Sequence, residues 1–339
     1  MSTSALPAPR PILPPWPLAL AGMALCAVAA TAAPLLTYTL TLAALGGAHV
    51  LSELRFVEAR FAARLGDRLL WGLGGLLLGV VLLRLLRALH LWTGSASTQA
   101  ELLVVAGLAA LTLPHLAERG ARALAVGVGV VCAVSVGLLL APIWTILALA
   151  VLHNWTPLGF LADGLPAAER RAGLVLSALA FGLLPLAIAT GLPGALLAAA
   201  GAAAPELSVL PVGALSDHFG AYLHRSHHDA AWAPAAFSAL VFAQCMHYAA
   251  VLGVLPRIAP GGPGAPRAVG LSRIPRGAFV AGVVLLSAVA FVGYAVDFKV
   301  ARSWYGLAAA VHAWVEVPVL LLALAPLVEG RRGVAEAAG

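Results

Sequence analysis

The sequence predicts an all-α fold, a polytopic bundle of about ten transmembrane helices, from its composition and from long apolar runs that recur along it. Of the 339 residues, 62% are hydrophobic and only 10% are charged. The mean hydropathy is +0.98, whereas a typical soluble domain is about 45–50% apolar and about 25% charged. The composition therefore excludes a soluble globular domain, a disordered chain and a coiled coil. The net charge of +6 does not indicate a nucleic-acid partner, because the basic residues are spread between apolar runs.

Ten apolar segments are long enough to cross a membrane, since a spanning helix needs about 20 mainly apolar residues. They cover residues 15–32, 34–52, 69–90, 100–117, 122–140, 142–161, 172–191, 233–255, 277–296 and 305–328. Prolines and Glu206 interrupt the next stretch, so we expect a re-entrant or interfacial segment around 193–232. We treat 1–339 as a single transmembrane domain. The first span ends in Ala-Thr-Ala-Ala-Pro, which leaves a cleaved signal peptide as an open alternative there.

The arginines predict the orientation of the bundle. With ten spans and a cytoplasmic N-terminus, most arginines fall in the inner connections, as the positive-inside rule requires. This distribution predicts a multi-pass protein of the bacterial inner membrane, surrounded by the lipid bilayer, with its N-terminus in the cytoplasm.

Four histidines on separate predicted spans form the first candidate site. They are His49, His153, His247 and His312. An ionisable group at membrane depth is costly unless it is paired or bound to a ligand, which makes each of them a candidate functional residue. Two of the four are followed four residues later by a glutamate, Glu53 and Glu316. This spacing places an imidazole and a carboxylate on the same helix face.

Each His–Glu pair offers the nitrogen and oxygen ligands that iron accepts together. We interpret the four histidines as iron ligands, and Glu53, Glu316 and Tyr248 as catalytic residues. The glutamates would either bind the metal or orient the imidazoles. Tyr248 shares a helix face with Gln244, four residues earlier. The simpler alternative is a hydrogen-bonded His–Glu pair that joins two helices.

A second cluster of metal-ligand residue types lies at residues 217–229. It contains four histidines and two aspartates: Asp217, His218, His224, His227, His228 and Asp229. If this stretch is helical, Asp217, His224 and His228 lie on one side of it, and we include the four histidines among the candidate metal ligands. The alternative is an exposed polar loop with incidental affinity for divalent metals.

Two families resemble parts of this sequence. His224-x-x-His227-His228 resembles, over five residues, one histidine box of the integral-membrane fatty-acid desaturases and hydroxylases. The isolated histidines on four spans, with His218-Phe219-Gly220, are similar to the pattern of the Brp/Blh membrane proteins, which are β-carotene-cleaving dioxygenases. The first resemblance implies two non-haem irons that oxidise lipid chains with dioxygen, and the second implies iron bound by histidines of several helices.

The leading hypothesis is an integral-membrane, metal-dependent oxidoreductase or oxygenase that acts on a hydrophobic small-molecule substrate. Its cofactor would be non-haem iron, as one ion or a dinuclear centre, and an electron donor would be a further partner. Zinc and haem are alternative cofactors. Two other functions stay open: a proton- or ion-coupled transporter that uses the His–Glu pairs, since histidine titrates near neutral pH, and a haem-binding electron carrier with paired histidines as axial ligands.

Overall fold

The computed structural model describes residues 11–259 and 270–330, except for the side chains of residues 63 and 64. Over these ranges every regular element is helical and no strand occurs, which confirms the predicted all-α fold. Nine of these helices are long and apolar enough to cross a membrane, and α1, Trp16–Ala32, is a shorter apolar helix. The chain is therefore a membrane protein built as a helical bundle of about ten spans.

The long helices follow one another along the chain, with one short helix, α8, among them. They are α2 (Pro34–Ala62), α3 (Leu65–Ala88), α4 (Ser95–Arg119), α5 (Ala121–Leu140), α6 (Pro142–Gly164), α7 (Ala167–Ala189), α9 (Ala233–Ile258), α10 (Arg276–Val296) and α11 (Phe298–Val328), and α8 is Leu192–Ala199. Four arginines that contribute to the predicted orientation lie outside the described residues: Arg10, Arg267, Arg331 and Arg332. The orientation stays a prediction.

Helix α2 is longer than the apolar run that predicted it. The sequence placed the end of this span at residue 52, whereas the helix continues to Ala62. The extension is possible because a charged side chain in it finds a partner: Arg60 Nε donates to Asp163 Oδ2 at 2.8 Å. This ion pair joins α2 to the C-terminal end of α6. Hydropathy alone does not detect such a pair, because each charge lowers the score of its own segment.

Residues 193–232 do not form a spanning helix. Helix α8 has only eight residues, and the chain after it is irregular apart from two short 3₁₀ turns, Leu215–Ala221 and Arg225–His227. This irregular segment connects α8 to α9 and lies against the end of the bundle where α11 begins, as the contact between Lys299 Nζ and Asp217 Oδ2 at 3.1 Å shows.

The helix considered for residues 217–229 is not formed. His224 has an extended backbone, with a ψ of 142°, and separates the two 3₁₀ turns. Its Nδ1 accepts a hydrogen bond from the backbone N–H of Ser226, which starts the second turn. Local capping of this kind competes with continuous helix. Consequently Asp217, His224 and His228 do not share a helix face.

Two hydrophobic clusters fill the bundle, and the candidate site lies where they meet. Along α2, Leu42 belongs to one cluster and Phe56 to the other, and His49 lies between them. Helix α9 repeats this order on either side of His247. Packing of apolar side chains above and below therefore positions the polar residues in the middle of the bundle.

Candidate metal centre

Four spanning helices each place one histidine at a common point inside the bundle. His49 belongs to α2, His153 to α6, His247 to α9 and His312 to α11. His49, His247 and His312 lie near the middle of their helices, whereas His153 ends the first part of α6 and is followed by a turn at Asn154 and Trp155. His49, His247 and His312 are at most 2% exposed, and His153 is partly buried. The four predicted residues are thus brought together.

The ligand atoms of this four-histidine cluster are spaced as ligands of one ion would be. His312 Nε2 lies 3.1 Å from His49 Nε2 and 3.0 Å from His153 Nε2. One ligand atom from each of the four histidines lies within 4.8 Å of the others. Adjacent nitrogen ligands that are bound about 2.1 Å from one ion are roughly 3.0–3.4 Å apart. The four histidines could therefore hold a metal ion after small side-chain adjustments.

Hydrogen bonds alone do not satisfy this group of nitrogens. A neutral imidazole nitrogen has one direction in the ring plane, which carries either a proton or a lone pair. His312 Nε2 faces the Nε2 atoms of both His49 and His153, so it can form a well-directed hydrogen bond with only one of them. A cation accepts the lone pairs of all of them at once. The geometry is therefore compatible with a bound metal ion.

Both predicted carboxylates lie at the cluster, but each contacts a histidine of another helix. Glu316 Oε2 is 2.6 Å from His153 Nδ1, and Glu53 Oε2 is 3.3 Å from His247 Nε2. The sequence had paired each glutamate with the histidine of its own helix. A carboxylate on the outer nitrogen of a metal ligand fixes the tautomer and the ring orientation, and the contact of Glu316 with His153 has this form.

The two glutamates are buried and contact each other. Glu53 and Glu316 are at most 1% exposed, and their carboxyl groups interact with one another as well as with His247 and His153. The group of ligand atoms that lie within 4.8 Å of one another contains the four histidines and neither glutamate. The carboxylates therefore lie beside the histidines that could hold the ion.

Replacing Glu316 with glutamine (Glu316→Gln) is expected to weaken metal binding by about 10–100-fold. Glutamine keeps the size of the side chain but removes the charge that stabilises the His153 imidazole. The affinity is measured by competition with a chelator. Glu118 is exposed, so Glu118→Gln serves as the matched control and should bind metal as the wild-type protein does. Equal affinity of both variants would show that Glu316 neither binds the metal nor orients His153.

Tyr248 packs beside the cluster and faces a cavity. Its ring stacks on that of His49, with centroids 4.1 Å apart and an interplanar angle of 28°. The Tyr248 and Tyr305 hydroxyls interact. Both tyrosines line a cavity of about 620 Å³ that also contains the four histidines. Tyr248 therefore lines the cavity beside the four-histidine cluster, and its catalytic role stays a prediction.

The loop histidines lie away from the cluster, among aromatic rings and backbone groups. His218 is buried between Tyr38 and Phe298, with ring centroids 5.6 and 5.4 Å away. Its Nε2 lies 3.1 Å from the Val212 carbonyl oxygen, and burial lowers the pKa of His218 below its ordinary value. Asp217 is exposed beside Lys299, whose ammonium group lowers the pKa of that carboxyl.

Of the other three histidines of the loop, His224 and His227 contact tryptophan rings, and His228 contacts the loop itself. His224 stacks on Trp144 at 4.6 Å, and His227 lies 5.2 Å from both Trp144 and Trp232. His228 Nε2 is 3.2 Å from the Leu223 carbonyl oxygen. Within residues 11–259 and 270–330, only the four histidines of the bundle form a group of three or more side chains suited to one ion. The structure thus does not bring the loop histidines together as a metal site.

The sequence analysis missed a buried ion-pair cluster next to the site. Glu101 of α4 is fully buried, and its carboxylate accepts hydrogen bonds from Arg84 Nε at 2.9 Å and Trp314 Nε1 at 2.8 Å. Arg87 Nη2 lies 3.7 Å from Glu101 Oε2. Trp314 is two residues from His312, so this cluster fixes the part of α11 that carries the site. The sequence does contain an indication of this ion-pair cluster. Arg84 and Arg87 are three residues apart and precede a single acidic residue, Glu101, within an apolar run.

Fold and site together define the class of this protein: a polytopic helical membrane protein with a buried four-histidine group that could hold a metal ion. No family model matches the chain, and comparisons with curated proteins and with solved structures give no match. The functional conclusion therefore rests on the geometry and chemistry of the site.

Proposed function

We propose that this protein is an integral-membrane, metal-dependent oxidoreductase that uses non-haem iron and acts on a lipid-soluble substrate. The observation that carries the proposal is the convergence of four imidazoles from four spanning helices beside two buried carboxylates. We place the protein in the bacterial inner membrane with a cytoplasmic N-terminus, and we include an electron donor as a partner.

The donor set supports non-haem iron. A haem offers two axial positions on opposite faces of a wide macrocycle, whereas four imidazoles whose ligand atoms lie within 4.8 Å leave no room for that ring between them. Imidazole also suits zinc and copper, but a mixed set of nitrogen and carboxylate ligands is typical of non-haem iron oxygenases. Binding of two ions would require Glu53 and Glu316 to act as ligands in addition to the four histidines.

The chain itself would bind the metal, orient its ligands and exclude water. The four histidines would hold the ion. Glu316 would accept a hydrogen bond from the Nδ1–H group of His153, which leaves the Nε2 lone pair of His153 free to bind the metal. Iron in this position would supply the activation of dioxygen. The apolar clusters around the site exclude water, which protects a reactive oxidant from side reactions. The adjacent cavity gives a hydrophobic substrate access to the site.

The shape of the cavity supports an enzyme over a proton-coupled transporter. The residues of α2 that line it are Tyr38, Leu42 and His49, so it approaches the cluster from one end of the bundle. Beyond His49, Phe56 packs edge-to-face on Phe160 with centroids 5.3 Å apart. A transport route needs access on both sides of its site in turn, whereas the described residues on the second side are closed by this aromatic packing and by the Arg60–Asp163 ion pair.

Metal analysis of the protein purified in a neutral detergent tests this proposal. We expect about one or two irons per chain, because the donor set is of the nitrogen–carboxylate type, and an optical spectrum without a Soret band. A Soret band would replace the proposal by a haem protein. Stoichiometric zinc would overturn the redox function, and the absence of any bound metal would overturn the metal site itself.

A further inference from the structure

The cavity beside the four-histidine cluster has the size of a ligand site. Its volume is about 620 Å³, within the range of roughly 300–1,000 Å³ that is typical of sites for small molecules. Its walls combine small apolar residues of α11, among them Ala309 and Ala310, with the aromatic rings of Tyr248 and Trp314. Such walls suit an apolar chain better than a hydrated ion.

Positive charges also line this cavity. One end of it, the charged end, carries Arg302, and Arg84 and Arg87 are further lining residues. Glu101 is the carboxylate that pairs with Arg84 and lies near Arg87, so the positive charges outnumber their partner. Arg302 has no carboxylate within 4.0 Å in the described ranges, and its guanidinium group interacts with the Tyr38 hydroxyl.

The distance between this charged end and the histidines follows from the helix. Arg302 and His312 both lie on α11, ten residues apart, with no proline between them. At a rise of 1.5 Å per residue the two positions are about 15 Å apart along the helix axis. A molecule bound by Arg302 would therefore reach the histidines with a segment well away from its own head group.

We propose that the substrate is an amphiphilic acid, whose anionic head group binds Arg302 and whose apolar chain extends along the cavity to the four-histidine cluster. This inference rests on the proposed function and specifies its substrate class. A guanidinium group offers paired donors that match a carboxylate or a phosphate. The Tyr38 hydroxyl beside Arg302 supplies a further polar contact for the head group. The charged end thus fixes which part of the chain reaches the metal.

Binding of radiolabelled palmitate to the full-length protein in a neutral detergent tests this substrate class, with dodecyl phosphate as a competitor that carries a phosphate head group. We expect palmitate to bind and uncharged methyl palmitate not to compete. Arg302→Gln should weaken binding by about 10–100-fold, the effect of losing a charge-assisted hydrogen bond. Arg302→Lys keeps the charge but loses the paired donors, so its affinity should lie between those of the wild-type protein and Arg302→Gln.

The matched control is Arg225→Gln, since Arg225 is exposed and does not line the cavity. This variant should bind palmitate as the wild-type protein does. Competition by dodecyl phosphate would show that the site accepts either head group, and its failure would assign a carboxylate. Iron is measured in the same samples. A wild-type protein that binds palmitate but contains no iron would contradict the proposed function and would leave the inference about the substrate class intact. The inference is overturned if neither acid binds, if methyl palmitate competes equally, or if Arg302→Gln binds as Arg225→Gln does.

Discussion

Replacing His312 with alanine (His312→Ala) is expected to leave less than about a tenth of the metal that the wild-type protein binds, because this residue would be the central ligand of the proposed ion. Its Nε2 atom is the one that lies 3.0–3.1 Å from two other imidazole nitrogens. Without it, the remaining ligand atoms no longer surround one point. Expression should stay close to that of the wild-type protein, because the apolar clusters on either side keep their packing. Metal content per chain, measured by mass spectrometry after purification, is the test.

The matched control for this experiment is His224→Ala. His224 stacks on Trp144 outside the cluster, so its loss should not change the metal content. Alanine variants of His49, His153 and His247 should each lower the metal content as well. If all four single variants keep their full metal, the four-histidine cluster is not the metal site.

Replacing Glu101 with glutamine (Glu101→Gln) is expected to lower the free energy of unfolding by about 2–3 kcal/mol. Removing one partner of a fully buried ion pair costs about 3–5 kcal/mol. The expected loss is smaller here, because the Arg84 and Arg87 side chains keep 25% and 33% exposure and stay partly hydrated. The measurement is unfolding in detergent micelles with increasing denaturant.

Glu118→Gln is again the control, since Glu118 is an exposed residue on the same helix, α4. Its free energy of unfolding should match that of the wild-type protein. The folded Glu101→Gln protein should still bind metal, because Glu101 contacts Trp314 and not the histidines. Equal stability of the two variants would mean that the ion-pair cluster does not hold α4 and α11 together.

Much of the bundle could be predicted from the sequence, because a helix that crosses the hydrocarbon core of a membrane must be apolar over most of its length. The ends of the helices were harder to predict. Helix α2 continues for ten residues past its predicted end because Arg60 meets Asp163, which is more than one hundred residues away in the chain. A partner at that separation leaves no trace in local hydropathy.

For the candidate site as well, features of a single sequence segment could be predicted, whereas contacts between separate helices could not. The four isolated histidines could be selected because each is costly at membrane depth, whatever its partner is. The cross-helix contacts of Glu53 and Glu316 could not be predicted, since the four-residue spacing describes only one helix. The dense histidine cluster at 217–229 was misleading for the opposite reason. Its residues are close in sequence, but extended backbone and aromatic stacking turn their side chains to different neighbours.

The histidines lie at the boundary between two hydrophobic clusters, so the proposed ion would bind where the two halves of the bundle meet. Dispersion contacts stabilise each half, while the boundary between them holds costly buried polar groups. An ion that binds only the assembled helices adds a stabilisation that grows with the logarithm of its free concentration. Binding of the proposed ion would therefore make the stability of the assembled bundle depend on the free concentration of that ion.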